Sequence, residues 1–125
     1  MLSARKVLVV DDEPEIADIC VAVAELADCE AAAVHSAEAF RVSAVDTFSL
    51  LILDLSVPGM NGSQVLRELG ERGSPVRVII VSGMDQATVE STATLAQNRG
   101  ADVHGVMSKP VRIAQLRELI EAALA

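Results

Sequence analysis

Three carboxylates, a hydroxyl and an ammonium stand at the ends of short apolar runs in this chain. Asp11 and Asp12 follow residues 7–10, Asp54 follows residues 50–53, Ser82 follows residues 76–81, and Lys109 closes the weaker run 103–107. Gathered in one crevice, these residue types define a narrow chemistry. Carboxylates held within a few ångströms repel one another, and a proton or a cation must relieve the repulsion. Mg²⁺ does so naturally, because it favours carboxylate and carbonyl oxygens and keeps water positions that a phosphate can take over. Lys109 adds a fixed positive charge able to pair with Asp54 at rest and with a phosphoryl oxygen later. Asp54 is then placed as a nucleophile, with the cation, Lys109 and Ser82 stabilising phosphoryl oxygens in an in-line transfer.

Each residue alone has an ordinary explanation. Asp54 can cap a turn before Pro58-Gly59, and Asp11 and Asp12 can start a helix, where acids are favoured. Ser82 before Gly83 is common turn chemistry, and Lys109 before Pro110 is a common strand exit. The case for a site rests on the coincidence that four of five candidate strands end in the required residue type.

The elements that must position these residues are legible as alternating patterns. Runs 7–10, 50–53, 76–81 and 103–107 are apolar without alternation, as in strands buried on both faces of a parallel sheet. Residues 30–34 form a weaker, alanine-rich fifth candidate. Between them the period becomes helical. Ile16, Ile19, Cys20, Val23 and Ala27 form one apolar stripe after Pro14, and Ile113, Leu116, Leu119, Ile120 and Ala123 form another. Ser36, Asp85 and either Ser63 or Asn61 are suited to N-cap further helices. Gly73-Ser74-Pro75 and Arg99-Gly100 close helices before strands. Strand and helix repeated five times predict a single α/β domain over residues 1–125, a (βα)5 three-layer sandwich with right-handed crossovers. In such a sheet the ligand crevice lies beyond the carboxyl ends of the strands, where all the candidate residues fall.

Composition excludes several alternatives. The chain has 125 residues, room for one core. No apolar run approaches the roughly 20 residues of a membrane span, and the N-terminal segment lacks a secretory leader, so a soluble, cytoplasmic domain is expected. The formal charge of −8 and the scattered Lys and Arg disfavour direct nucleic-acid binding, and with no Trp or Tyr and two Phe there are no base-stacking platforms. Cys20 and Cys29 read as reduced packing residues, and His35 and His104 as surface or loop residues rather than metal ligands.

The segments VLVVDDEPEI, LLILDLSVPGMNG, VIIVSG and VMSKP resemble, in order and spacing, the signature segments of response-regulator receiver domains, and the similarity spans essentially the whole chain. The resemblance implies a doubly wound, five-stranded parallel sheet in strand order 2-1-3-4-5. It implies a switch protein rather than an enzyme, with Asp54 as phosphoacceptor and with Mg²⁺ held by Asp11, Asp12, Asp54 and the Ser56 backbone carbonyl. Ser82 becomes the switch hydroxyl, Lys109 the phosphoryl contact, and the bond to Pro110 is expected to be cis. Implied partners are a sensor histidine kinase or phosphotransfer protein, and an output domain or downstream protein. A homodimer is an assembly open to such domains. The segment GADVHGVMSKP is similar to receivers attached to cyclic-di-GMP phosphodiesterase domains. The chain reads either as a stand-alone receiver or as a piece of something larger.

Three departures from the family pattern stand out. Val106 occupies the position three before Lys109, where the family usually carries a Tyr or Phe rotameric switch. Transmission is therefore expected to stay within residues 82–85 and the helix over 85–99, with strand five moving little. The stretch from Gly100-Ala101 to Lys109 reads about two residues longer than is usual in the family, so the family pattern does not define the loop before strand five. Ser56 and Met84 flank the expected path of an attacking water, and should tune phosphoryl lifetime. Two rival readings share the fold or the nucleophile. A phosphorylation-independent interaction module draws on the missing aromatic switch. An aspartyl-phosphate phosphatase of the haloacid dehalogenase kind needs Asp-x-Asp, whereas Leu55 and Ser56 follow Asp54. No phosphate-cradling glycine motif is present.

Overall fold

The computed structural model describes residues 5–125. Residues 1–4, at the head of the segment read above as lacking a leader, lie outside them. Five strands alternate with helices: β1 (Lys6–Val10), α1 (Pro14–Leu26), β2 (Glu30–Val34), α2 (Ala37–Arg41), β3 (Leu50–Leu53), α3 (Gly62–Glu71), β4 (Arg77–Ser82), α4 (Gln86–Asn98), β5 (Asp102–Ser108) and α5 (Ile113–Ala123). A single 3₁₀ turn, Val45–Thr47, precedes β3. The sheet is wholly parallel in the order β2-β1-β3-β4-β5, as expected. No described helix is long and apolar enough to cross a membrane.

The continuous apolarity of β1, β3 and β4 has the anticipated cause. Each is covered on both faces, and Val7 to Val10, Leu50 to Leu53 and Val78 to Val81 are all buried. Leu8, Val10, Leu51, Leu53, Val78 and Ile80 meet Leu66 and Leu69 of α3 and Val89, Ala93 and Ala96 of α4. Val7, Val9, Leu50, Ile52, Ile79 and Val81 meet Cys20 and Val23 of α1 and Leu116 and Ile120 of α5. β2, at the sheet edge, is less covered, which explains its weaker alanine-rich signal.

Helix starts follow local chemistry. Pro14 sits at the start of α1. Ser36 Oγ accepts from Ala39 N at 3.1 Å, and Asp85 Oδ1 accepts from Thr88 N at 2.8 Å. For α3 the cap is Asn61, accepting from Gln64 N at 3.1 Å, not Ser63. Gly73 and Gly100 end α3 and α4 with φ of 66° and 96°, a region costly for any residue with a Cβ.

Both predicted apolar stripes need correction. In α1 the buried residues are Ala17, Cys20, Val23 and Ala24, while Ile19 is 36% exposed. The helix is apolar on more than one side, and the sheet takes the side carrying small alanines, which lets the helix come close. In α5, Leu116, Ile120 and Ala123 are buried, but Ile113 is 55% exposed because it is the first helical residue, ahead of the turn that reaches the sheet.

The extra length near β5 is not in the loop. Only Arg99 to Ala101 separate α4 from β5, and the surplus sits inside a seven-residue strand. Val78 pairs with Val103 but Ile79 pairs with Gly105, so a bulge at His104 shifts the register. A single inserted residue reverses which face each later side chain points to. Val103 and Val106, three apart, accordingly both pack toward the α3/α4 side, and Met107 packs toward α1/α5. The bulge also places Gly105 where a Cβ would come 2.8 Å from Leu119 Cδ2.

Candidate functional site

The carboxyl ends of β1, β3, β4 and β5 lie side by side because the central order of the sheet is β1-β3-β4-β5. Asp11, Asp54, Ser82 and Lys109 therefore converge on one edge. Asp11, Asp54 and Ser82 are buried at 3%, 2% and 0% exposure, and they are the only buried polar or charged residues among those described. Asp12 is exposed at the rim.

Lys109 organises the centre. Its Nζ lies 3.0 Å from Asp11 Oδ2 and 3.0 Å from Asp54 Oδ2, and it donates to Glu13 Oε1 at 2.7 Å. Burial alone would lower the lysine's pKa, but the three carboxylates raise it, so the ammonium is firmly held. Burial pushes the Asp11 carboxyl above its ordinary value, against the lowering pull of the Glu13 N–H and Lys109, while the neighbouring Asp54 charge adds to the rise. The remaining carboxylate oxygens are fixed by the backbone: Asp11 Oδ1 accepts from Glu13 N and Asp54 Oδ1 from Ser56 N, each at 2.9 Å. The peptide bond from Lys109 to Pro110 is cis, as expected.

One carboxylate oxygen from each of Asp11, Asp12 and Asp54 lies within 4.8 Å of the others. Three hard oxygen ligands at this spacing suit a small divalent cation better than a soft one. Ser56, the fourth residue expected at the metal, is exposed and stands beside Asp54 through its N–H.

Of the other residues singled out, His35 touches this edge, through the Asp11 carbonyl. Cys20 and Cys29 are free and buried. His104 lies on the β5 bulge with Nε2 2.9 Å from Asp102 Oδ1, and His35 is exposed with Nδ1 3.1 Å from Asp11 O. Val106 is partly buried against the α3/α4 core. Three contacts were not foreseen. Glu13 is the third acid on Lys109; its signal was an acid directly after the Asp pair. Ser108 donates through Oγ to the Met84 carbonyl at 2.6 Å, and Met84 N donates to Ser82 Oγ at 3.3 Å. The signal there was a hydroxyl immediately before Lys109, but only the fold shows what it reaches.

Comparison with known proteins identifies the family to which this sheet and its edge belong. The response regulator receiver domain family matches residues 7–121. Among curated relatives, the uncharacterized transcriptional regulatory protein YkoG of Bacillus subtilis is 30% identical over 121 residues, covering 94% of this chain and 50% of that protein. The response regulator protein PilR of Pseudomonas aeruginosa is 29% identical over 126 residues, covering 98% and 27%. The chain thus spans half or less of the length of these relatives. Among solved structures, a response regulator from Colwellia psychrerythraea is 30% identical with a TM-score of 0.79, covering 94% of both chains. A CheY-like receiver domain protein from Methanospirillum hungatei is 25% identical with a TM-score of 0.77, covering 95% and 92%. This chain belongs to the response regulator receiver family of two-component signalling. Such domains are signalling switches that interact with histidine kinases or phosphotransfer proteins.

Proposed function

We propose that Asp54 accepts a phosphoryl group from a sensor histidine kinase or phosphotransfer protein in a Mg²⁺-dependent reaction, and that the resulting change controls an output domain or a separate partner. The observation that carries this reading is the contact between the buried Asp54 carboxylate and Lys109 Nζ at 3.0 Å, with Asp11 and Asp12 within reach of a shared cation.

The residues divide the work. An Asp54 oxygen attacks phosphorus, and the donor's leaving group departs with the electron pair of the broken bond. Lys109 transfers its contact from the carboxylate to a phosphoryl oxygen, so the ammonium stays paired with an anion throughout. The Ser82 hydroxyl donates to a second phosphoryl oxygen. Asp11, Asp12, Asp54 and the Ser56 carbonyl would hold Mg²⁺, whose charge offsets that of the phosphoryl oxygens when it is bound. Met84, 38% exposed and apolar, offers no side-chain hydrogen bond to orient a hydrolytic water, which supports a long-lived phosphoryl state.

The test needs no kinase. With Mg²⁺ and acetyl phosphate the chain should gain the mass of one phosphoryl group, and Asp54→Asn should abolish the gain. Equal labelling of the Asn variant overturns the assignment.

A further inference from the structure

Three hydrogen bonds close a ring around the β4–α4 turn, and a fourth ties that ring to Asp54. Lys109 Nζ holds Asp54 Oδ2 at 3.0 Å, and Lys109 N donates to Ser82 O at 2.7 Å. Ser82 Oγ accepts from Met84 N at 3.3 Å, and Met84 O accepts from Ser108 Oγ at 2.6 Å. Ser108 then leads directly into Lys109, which completes the ring. Both ends of the turn 82–84 are therefore tied to the end of β5, one through the strand ladder and the other through a single side chain.

We propose that Ser108 is a positioning residue that carries the state of the Asp54 site to β5, the part an aromatic ring would play if Val106 were one. The proposal rests on the phosphoacceptor reading above.

The relative strengths of the bonds give the circuit its direction. The Met84 N to Ser82 Oγ bond is long, and the Ser108 to Met84 O bond is short, so a disturbance breaks the first before the second. A dianionic phosphoryl group draws the Ser82 hydroxyl toward itself, because a charge-assisted hydrogen bond is about twice as strong as a neutral one. Met84 then loses or drags its N–H contact, the backbone turns about its Cα, and its carbonyl, in the next peptide unit, pulls on Ser108 Oγ.

β5 is prepared to respond. It is an edge strand, its register is already broken at His104, and Gly105 has no side chain to anchor it against α5. Val106 has no polar atom and cannot reach a carbonyl by hydrogen bonding. Ser108 is the side chain of β5 that does so at this turn. Motion is thus expected in β5 as well as in α4, beyond the confinement to residues 82–99 that the missing aromatic ring suggested.

Beryllofluoride, a phosphoryl mimic, with Mg²⁺ tests this on the full chain by backbone amide shifts. In the wild type, amides of residues 82–85 and 105–108 should shift together. In Ser108→Ala the shifts at 82–85 should persist while those at 105–107 fall at least threefold, and Ser108→Thr, which keeps the hydroxyl, should restore them. An unchanged β5 response in Ser108→Ala overturns the proposal and leaves Asp54 as acceptor. No response anywhere in the wild type overturns the acceptor reading and the proposal together. Should Ser108→Ala lose its dispersed spectrum, Ser108→Cys, close in size but a weak donor, takes its place with the same expected loss at β5.

Discussion

Lys109 Nζ stands equidistant from Asp11 and Asp54, 3.0 Å from Oδ2 of each, with side-chain exposures of only 13%, 4% and 2% for the three residues. The ammonium is the one cation among the described residues that offsets two buried carboxylates, so the site stores repulsion whenever it is removed.

Lys109→Met should therefore destabilise the metal-free chain by about 3 kcal/mol at neutral pH, the usual scale for leaving a buried charge without its partner. Mg²⁺ should recover part of that loss, and it should stabilise Lys109→Met more than the wild type. In the wild type, saturation to ten times Kd should add about 1.4 kcal/mol, a gain that Asp12→Ala removes. Urea unfolding in EDTA and in millimolar Mg²⁺ measures all three. A Lys109→Met chain as stable as the wild type in EDTA would show that the carboxylates do not need the lysine.

Gly70→Ala tests packing against propensity. Gly70 lies inside α3, where alanine is intrinsically favoured by about 1 kcal/mol. Here an added Cβ would collide with the Arg99 carbonyl oxygen and fall 2.7 Å from Ala101 N, both backbone atoms that cannot step aside cheaply. Overpacking at roughly 1–3 kcal/mol should win, so the urea midpoint should fall. A rise would mean that α3 can draw back from the α4–β5 turn at little cost.

Cys20 should be chemically silent in the folded chain. Burial pushes its thiol up to about 12, with the Asp11 charge adding to the rise. At pH 8 the thiolate fraction is then about one in ten thousand, and only the thiolate attacks a disulfide reagent. Ellman's reagent should label Cys20 no faster than the chain unfolds, and at once in urea. Immediate labelling of Cys20 in the native chain, located by peptide mass, would contradict this.

The acid limb of stability should carry a signature of Asp85. Its bond from Thr88 N holds the carboxyl below the usual carboxylate range. A depressed native value means that the contribution is complete above the unfolded pKa of about 3.9 and is lost as pH falls through the native value. Asn caps helices as well as Asp but does not titrate. Asp85→Asn should therefore match the wild type near neutrality and lose less stability between pH 4 and pH 2, as about two pH units bracket the transition. Parallel acid limbs in the two proteins would remove Asp85 from the account.

Sequence alone determined what depends on near neighbours or on burial from both sides. Unbroken apolar runs could be stable only as strands covered on two faces, and those faces required helices in between. That requirement settled the layers, and the resemblance supplied the strand order. Ser36 and Asp85 capped where expected, because a cap is a contact across three residues. Asp11, Asp54, Ser82 and Lys109 could be assigned to one edge because a parallel sheet brings all carboxyl ends together. Tertiary structure decided the rest. Which side of α1 is buried depended on how closely alanines let it approach the sheet. Whether the surplus residue near β5 became loop or bulge depended on pairing with β4. That Ser108 reaches Met84, and Glu13 reaches Lys109, depended on distances set by the whole sheet. Local rules act over a few bonds, whereas these contacts join residues 24 and 96 positions apart, and only the folded chain brings them within hydrogen-bonding distance.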